Sequence, residues 1–142
     1  MALLAVVVAL GVIAVLSERN GVDEYEAGTP EATVQAYFQA LIDDRPDDAL
    51  AQLDSELGCD NRFRPTVHVS RVVLDDVTYS ADNTEATVRV QVTEDWGDSI
   101  FGPDEATFTE TIRLATDTDD GSGDSWVIVQ PPWPYFACRP GG

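Results

Sequence analysis

The sequence predicts an α+β fold: a pair of amphipathic helices packed on a curved four-stranded antiparallel sheet, preceded by an N-terminal transmembrane helix. Three observations indicate this architecture. The chain begins with a long uncharged apolar run, an apolar stripe with helical spacing follows after Thr29, and from Pro65 onward the apolar residues alternate with period two. A helical part followed by a run of strands is typical of helices that cover one face of a sheet.

The segment Met1–Leu16 contains apolar residues and glycine and no charge. It is close to the shortest stretch that crosses a bilayer, for which about 20 residues are typical. A basic n-region and a clear cleavage site are missing, so we favour a membrane anchor over a cleaved signal segment, which would make the protein secreted. The flank 17–28 is acidic with a single Arg, so the positive-inside rule places it and everything after it outside the cell membrane.

The segment Thr29–Asp44 has the pattern of a helix with one apolar face. Thr29 is suited to cap it and Pro30 to its first position, and the inward residues are Val34, Tyr37, Phe38, Leu41 and Ile42. A second helix is expected from Pro46, with a short apolar face formed by Ala49, Leu50, Leu53 and Leu57 and an end at Gly58. The spacing therefore predicts a helix pair joined by a tight turn.

Four strands are expected after the helices: Thr66–Tyr79, Glu85–Glu94, Ala106–Ala115 and Ser125–Gln130. The second alternates strictly, with Ala and Val on one face and polar residues on the other. Asp95–Asp104 contains two glycines and a proline and is expected to be a longer loop. Because the connections are short, the strands should form an antiparallel meander. The predicted organisation is thus an anchor over 1–16, an acidic linker over 17–28 and a domain over 29–142.

The formal net charge is −18 and the chain contains no lysine. This charge excludes nucleic acid as a partner and disfavours docking on anionic lipid, because no basic face is available. His68 is the only histidine, and the acidic turn 117–124 does not fit the calcium-loop spacing, so we expect no metal site. Nothing in the sequence indicates a cofactor.

Cys59 and Cys138 are the only cysteines. In an extracytoplasmic domain such a pair predicts a disulfide, although two free thiols or a redox pair are alternatives; no C-x-x-C spacing supports the latter. The bridge would fasten the tail 131–142 to the helical side. The tail contains a P-x-x-P motif at 131–134, and we favour its packing on its own domain over the binding of a partner.

Glu110 shares the strand parity of Phe108, Ile112 and Leu114, so alternation points its carboxylate to the apolar face. There it would serve as a general acid or ligand anchor. The alternatives, which we favour, are a register change or bulge that turns it to water, or a pairing with an Arg. His68 is expected to be a packed or surface residue more than a general base.

The segment TVQAYFQALIDDRPDDAL at 33–50, followed by the late strand Trp126-Val-Ile-Val, resembles sequences of the nuclear transport factor 2-like superfamily. That superfamily includes the SnoaL-like polyketide cyclases and the ketosteroid isomerases, and the chain is most similar to its small exported or membrane-anchored actinobacterial members. The resemblance implies a cone-shaped fold, whose cavity in enzymatic members holds an Asp or His base and polar partners such as Tyr. No such catalytic motif matches this chain, so Glu110, Tyr37 and His68 are named as pocket candidates and no catalytic residue is assigned.

We therefore expect a non-enzymatic binding or interaction module of the cell envelope on a single-pass anchor, with a protein partner or a second copy and an unidentified small-molecule ligand. One alternative is a small-molecule enzyme, an isomerase or a cyclase-like protein, that uses Glu110 as acid or base. Another is an accessory subunit of an envelope transport assembly. An enclosed cavity in which Glu110 meets Tyr37 or His68 would favour the enzyme, and a filled cone would favour the interaction module.

Overall fold

The computed structural model describes residues 15–17, 24–63, 66–118, 125–136 and 138–139. The helices are α1 (Pro30–Ile42) and α2 (Pro46–Leu50), with two short 3₁₀-helices at Ser55–Leu57 and Asn61–Phe63. The strands are β1 (Val15–Ser17), β2 (Val69–Tyr79), β3 (Glu85–Ser99), β4 (Gly102–Thr116) and β5 (Trp126–Ile128). The predicted α+β class is confirmed.

The strands form one antiparallel sheet in the order β1-β2-β3-β4-β5. The meander β2–β5 is the predicted four-stranded sheet, and register shifts at Val69/Arg71 and Leu74/Asp76 bend β2. β1 is an addition: Val15–Ser17, which the sequence assigned to the end of the anchor and the start of the linker, pair with β2. Residues 1–14 of the predicted anchor lie outside the described residues. No helix in the described part of the chain is both long and apolar enough to span a membrane.

Helix α1 follows the prediction closely. The hydroxyl of Thr29 accepts the N–H of Ala32 at 3.2 Å, as an N-cap does, and Pro30 begins the helix. The predicted apolar stripe faces inward, and the side chains of Val34, Tyr37 and Phe38 are fully buried. Helix α1 is therefore the main cover of the sheet.

Helix α2 is shorter than its apolar spacing suggested. It ends at Leu50, because the chain after it turns to pair with β5: Ile128 donates its N–H to the carbonyl of Gln52, and its own carbonyl accepts the N–H of Asp54, each at 2.9 Å. Leu53 lies buried beside this bridge. The backbone groups there are satisfied by the sheet and not by a continued helix.

The β3–β4 hairpin is longer than predicted. Where the sequence indicated a loop over Asp95–Asp104, both strands continue, and the pairing resumes beyond a bulge at Asp95/Asp98 up to the closing pair Ser99–Gly102. Gly97 (φ +93°) and Gly102 (φ +113°) have backbone conformations that other residues rarely adopt. The glycines that indicated a loop in fact serve a bulge and a tight turn.

Candidate functional site

Glu110 lies in the middle of β4, opposite Val90 of β3, and no register shift occurs near it. Its side chain therefore shares the inward face with Ile112, as the alternation indicated, and the expectation of a register change or bulge that turns it to water is wrong. The side chain is half-buried, and its Oε1 accepts the backbone N–H of Trp133 at 3.1 Å.

Tyr37 binds Trp133 from the helical layer, opposite the sheet. It lies on the inward face of α1, fully buried, with its ring edge-on to Phe38 at 5.0 Å between centroids. Its hydroxyl donates to the carbonyl of Trp133 at 2.7 Å. Glu110 from the sheet thus binds the backbone N–H of Trp133, and Tyr37 from the helix binds its backbone carbonyl.

Residues 132–135, which we call the tail plug, are buried without exception. The indole of Trp133 packs edge-on against Phe108 at 5.1 Å, on the inward face of β4. The ring of Tyr135 packs near that of Tyr37 at 6.4 Å, and its hydroxyl donates to Oδ1 of Asn61 at 2.7 Å. The tail plug thus lies between α1 and the sheet, where it contacts the pocket candidates Glu110 and Tyr37.

The predicted disulfide between Cys59 and Cys138 is present, and it joins positions 79 residues apart. Next to it the N–H of Arg139 donates to the carbonyl of Gly58 at 3.1 Å. The chain after the tail plug is therefore fastened covalently to the segment that follows α2.

His68 does not join this arrangement. Its side chain is exposed, and its carbonyl accepts the N–H of Asp95 at 2.9 Å, which places it five residues along β3 from Val90, the partner of Glu110. Of the three pocket candidates, the structure brings Glu110 and Tyr37 together on Trp133 and leaves His68 at the hairpin.

A shallow surface pocket of about 230 Å³ lies elsewhere, at the turn end of β2 and β3, and Thr87, Arg113 and Val129 are among its lining residues. Tyr79 also borders it, and its hydroxyl donates to Oε2 of Glu31 at 3.3 Å. Partial burial, the negative charge of Glu31 and this hydrogen bond together raise the pKa of Tyr79 to about 12. The pocket contains none of the sequence-predicted candidates.

Among the side chains that the structure describes, no group of three or more His, Cys, Asp and Glu residues is arranged to hold a metal ion. Most of the acidic turn 117–124 lies outside the described residues.

Trp133 and Asn61 are the residues that sequence reasoning missed. Trp133 lies between two prolines, Pro132 and Pro134, which have no N–H of their own. Its N–H is thus an isolated donor in an aromatic segment close to a cysteine, and that pattern is a usable signal for a packed tail that needs an acceptor. Asn61 has no comparable signal in the sequence.

Comparison of the chain with protein-family models, with curated proteins and with solved structures gave no match.

Proposed function

We propose that this chain is a non-enzymatic binding or interaction module that an N-terminal anchor holds on the outer side of the cell membrane. The observation that carries the proposal is the tail plug. It occupies the inward face of the sheet, and the two polar candidates of that face, Glu110 and Tyr37, both bind Trp133.

A general acid or base must come within hydrogen-bond reach of a substrate atom. Here the Oε1 of Glu110 is within that reach of the protein's own N–H group, and the hydroxyl of Tyr37 is within reach of its own carbonyl. A substrate would have to displace the tail plug to reach Glu110 and Tyr37 in this arrangement. The disulfide between Cys138 and Cys59 fastens the chain just after the tail plug and opposes that displacement. These contacts favour an interior that stabilises the fold and an outer surface that makes the functional contacts.

The disulfide also supports the proposed location, because such bonds persist in oxidising compartments outside the cytoplasm. We further propose membership of the nuclear transport factor 2-like superfamily. The order of a helix pair followed by an antiparallel meander supports that proposal.

Genetic complementation tests the proposed function. Glu110→Gln keeps an oxygen that accepts the N–H of Trp133 but removes the ionisable group. Glu85→Gln, at an exposed position of the neighbouring strand β3 and far from the hairpin turn at 99–102, is the matched control. In cells deleted for the gene, each variant is expected to rescue the deletion phenotype as fully as the wild-type protein does, at equal protein levels. An enzyme that uses Glu110 as acid or base would lose function with Glu110→Gln alone, and that result would contradict the proposal.

A further inference from the structure

The tip of the β3–β4 hairpin, residues 95–105, carries large apolar side chains in water. Ile100 is 94% exposed and Phe101 is 92% exposed, and together they occupy the turn; Trp96 on β3 is 58% exposed. Turn positions of this kind are usually filled by Gly, Asn, Asp or Ser. Ile and Phe in this place bury almost no surface within the chain, so the fold does not account for them.

The conformation of the tip is set by its own hydrogen bonds. The hydroxyl of Ser99 donates to the carbonyl of Gly102 at 3.1 Å and accepts the N–H of Phe101 at 3.2 Å. At the bulge, the N–H of Gly97 donates to Oδ1 of Asp95 at 2.6 Å. Ile100 and Phe101 are therefore presented outward by an ordered turn, which reduces the entropy lost when they bind.

The charge of the tip restricts what can cover it. Residues 95–105 include four acidic residues, Asp95, Asp98, Asp104 and Glu105, and no basic one. Carboxylates that lose water at a contact need cationic partners. An anionic lipid surface would repel them, and so would a second copy of a chain whose net charge is −18. The complementary occupant is a surface with an apolar pocket and a basic rim.

The sheet register indicates the direction in which the tip points. The chain enters β1 at Val15, opposite Val73 of β2, which in turn lies opposite Gln91 of β3, and β1 then runs toward the tip end of the sheet. From Gln91 to Ser99 the hairpin extends about 23 Å, because the paired segment of β4, from Thr109 to Gly102, advances seven steps at about 3.3 Å per residue. The tip therefore lies beyond the end of the sheet toward which β1 runs.

We propose that the hairpin tip docks into an apolar pocket, rimmed by Arg or Lys side chains, on the extracytoplasmic surface of a partner protein. This inference rests on the proposed function and names its contact surface. Ile100, Phe101 and Trp96 would fill the pocket, and the tip carboxylates would pair with its rim.

Site-specific photo-crosslinking in intact cells tests the docking site. The photoreactive probe benzoylphenylalanine replaces Phe101 in the full chain. Matched control probes replace Asp82, in the exposed turn at the opposite end of the sheet, and Thr109, on its exposed face. A protein adduct is expected at position 101 and not at the two controls, attached in an apolar region of the partner with Arg or Lys nearby.

Two further variants examine the chemistry of the contact. Combining the probe with Trp96→Ser and Ile100→Ser is expected to lower the adduct yield about tenfold or more, because central apolar anchors carry most of the binding free energy. Asp98→Asn with Asp104→Asn should also lower it, and added salt should act in the same direction. Thermal unfolding of the same proteins should stay unchanged, since these side chains are outside the core. An adduct yield that stays the same in all of these variants and at higher salt would overturn the proposal.

The remaining outcomes separate this inference from the proposed function. A lipid adduct at position 101, or an adduct with the mass of two copies of the chain, overturns the docking proposal. A protein captured only at 82 or 109 also overturns it but leaves the interaction module standing. A protein adduct at none of the three positions contradicts both.

Discussion

The hydroxyl of Tyr37 provides the sharpest test of whether the interior serves the fold. Tyr37→Phe removes one oxygen from a fully buried side chain and leaves the ring in place. The carbonyl of Trp133 then loses the donor that binds it at 2.7 Å. A buried group left without its partner costs about 1–3 kcal/mol, so we expect the free energy of unfolding to fall by that amount.

Tyr79→Phe is the matched control, because it makes the same chemical change at the surface. Tyr79 is 42% exposed, and its hydroxyl binds Glu31 at 3.3 Å, where water can replace either partner. The expected loss is about 0.5 kcal/mol or less.

The assay is thermal and urea unfolding of the full chain in mild detergent, followed by near-ultraviolet circular dichroism. At about 4 °C per kcal/mol for a domain of this size, Tyr37→Phe should lower the melting temperature by about 4–12 °C. In the double variant with Glu110→Ala, the two losses should not add, because both side chains bind Trp133. Residues kept for catalysis often reduce stability, so an equally stable or more stable Tyr37→Phe protein would refute the structural role.

Three other measurements follow from the same contacts and charges. Replacing Cys59 and Cys138 by Ser should lower the free energy of unfolding by about 4.5 kcal/mol in the chain-entropy model, and urea unfolding that matches the wild type would show that the bridge does not constrain the unfolded chain. Because the pKa of Tyr79 is raised from 10.0 to about 12 in the folded protein, its contribution to stability is complete below pH 10 and is lost as the pH rises through about 12. The difference between wild-type and Tyr79→Phe phenolate spectra should therefore have its midpoint near pH 12 and not near pH 10. The melting temperature should rise as salt increases from about 0.1 M to about 1 M, since the Debye length falls from about 10 Å to about 3 Å and the repulsion within a chain of net charge −18 is screened; a flat response would contradict this expectation.

The elements that the sequence predicted well are those that local periodicity determines. The apolar stripe of α1, with Val34 and Phe38, and the strict alternation of β3, with Val88 and Val90, lie on the buried face. The period-two alternation also gives the inward direction of Glu110, whereas the expectation of a bulge at that position is wrong. In each case the spacing of apolar residues along the chain predicts which face is buried, and the tertiary structure packs another element against that face.

The elements that the sequence predicted poorly depend on residues far away in the chain. Helix α2 ends at Leu50 because Gln52 and Asp54 bond to Ile128, and no feature between Pro46 and Gly58 shows that. The sequence predicts a loop over Asp95–Asp104 because Gly97 and Gly102 are ordinary loop signals. In the structure their positive φ angles serve a bulge and a turn inside a continuing ladder.

Glu110 shows that the inward direction of a carboxylate does not by itself define the kind of site it forms. A carboxylate on an apolar face needs a partner, and physical chemistry does not say whether that partner is a substrate or the protein itself. The tail poses the complementary problem. Pro132 and Pro134 have no N–H and cannot join a ladder, so the N–H of Trp133 enters the interior without a strand to bind it. The N–H of Trp133 donates to the carboxylate of Glu110 at 3.1 Å, so each of these buried polar groups has a partner. An inward carboxylate and a proline-flanked aromatic near a cysteine are best considered together, because either one alone suggests a binding site, whereas the pair indicates a closed interior.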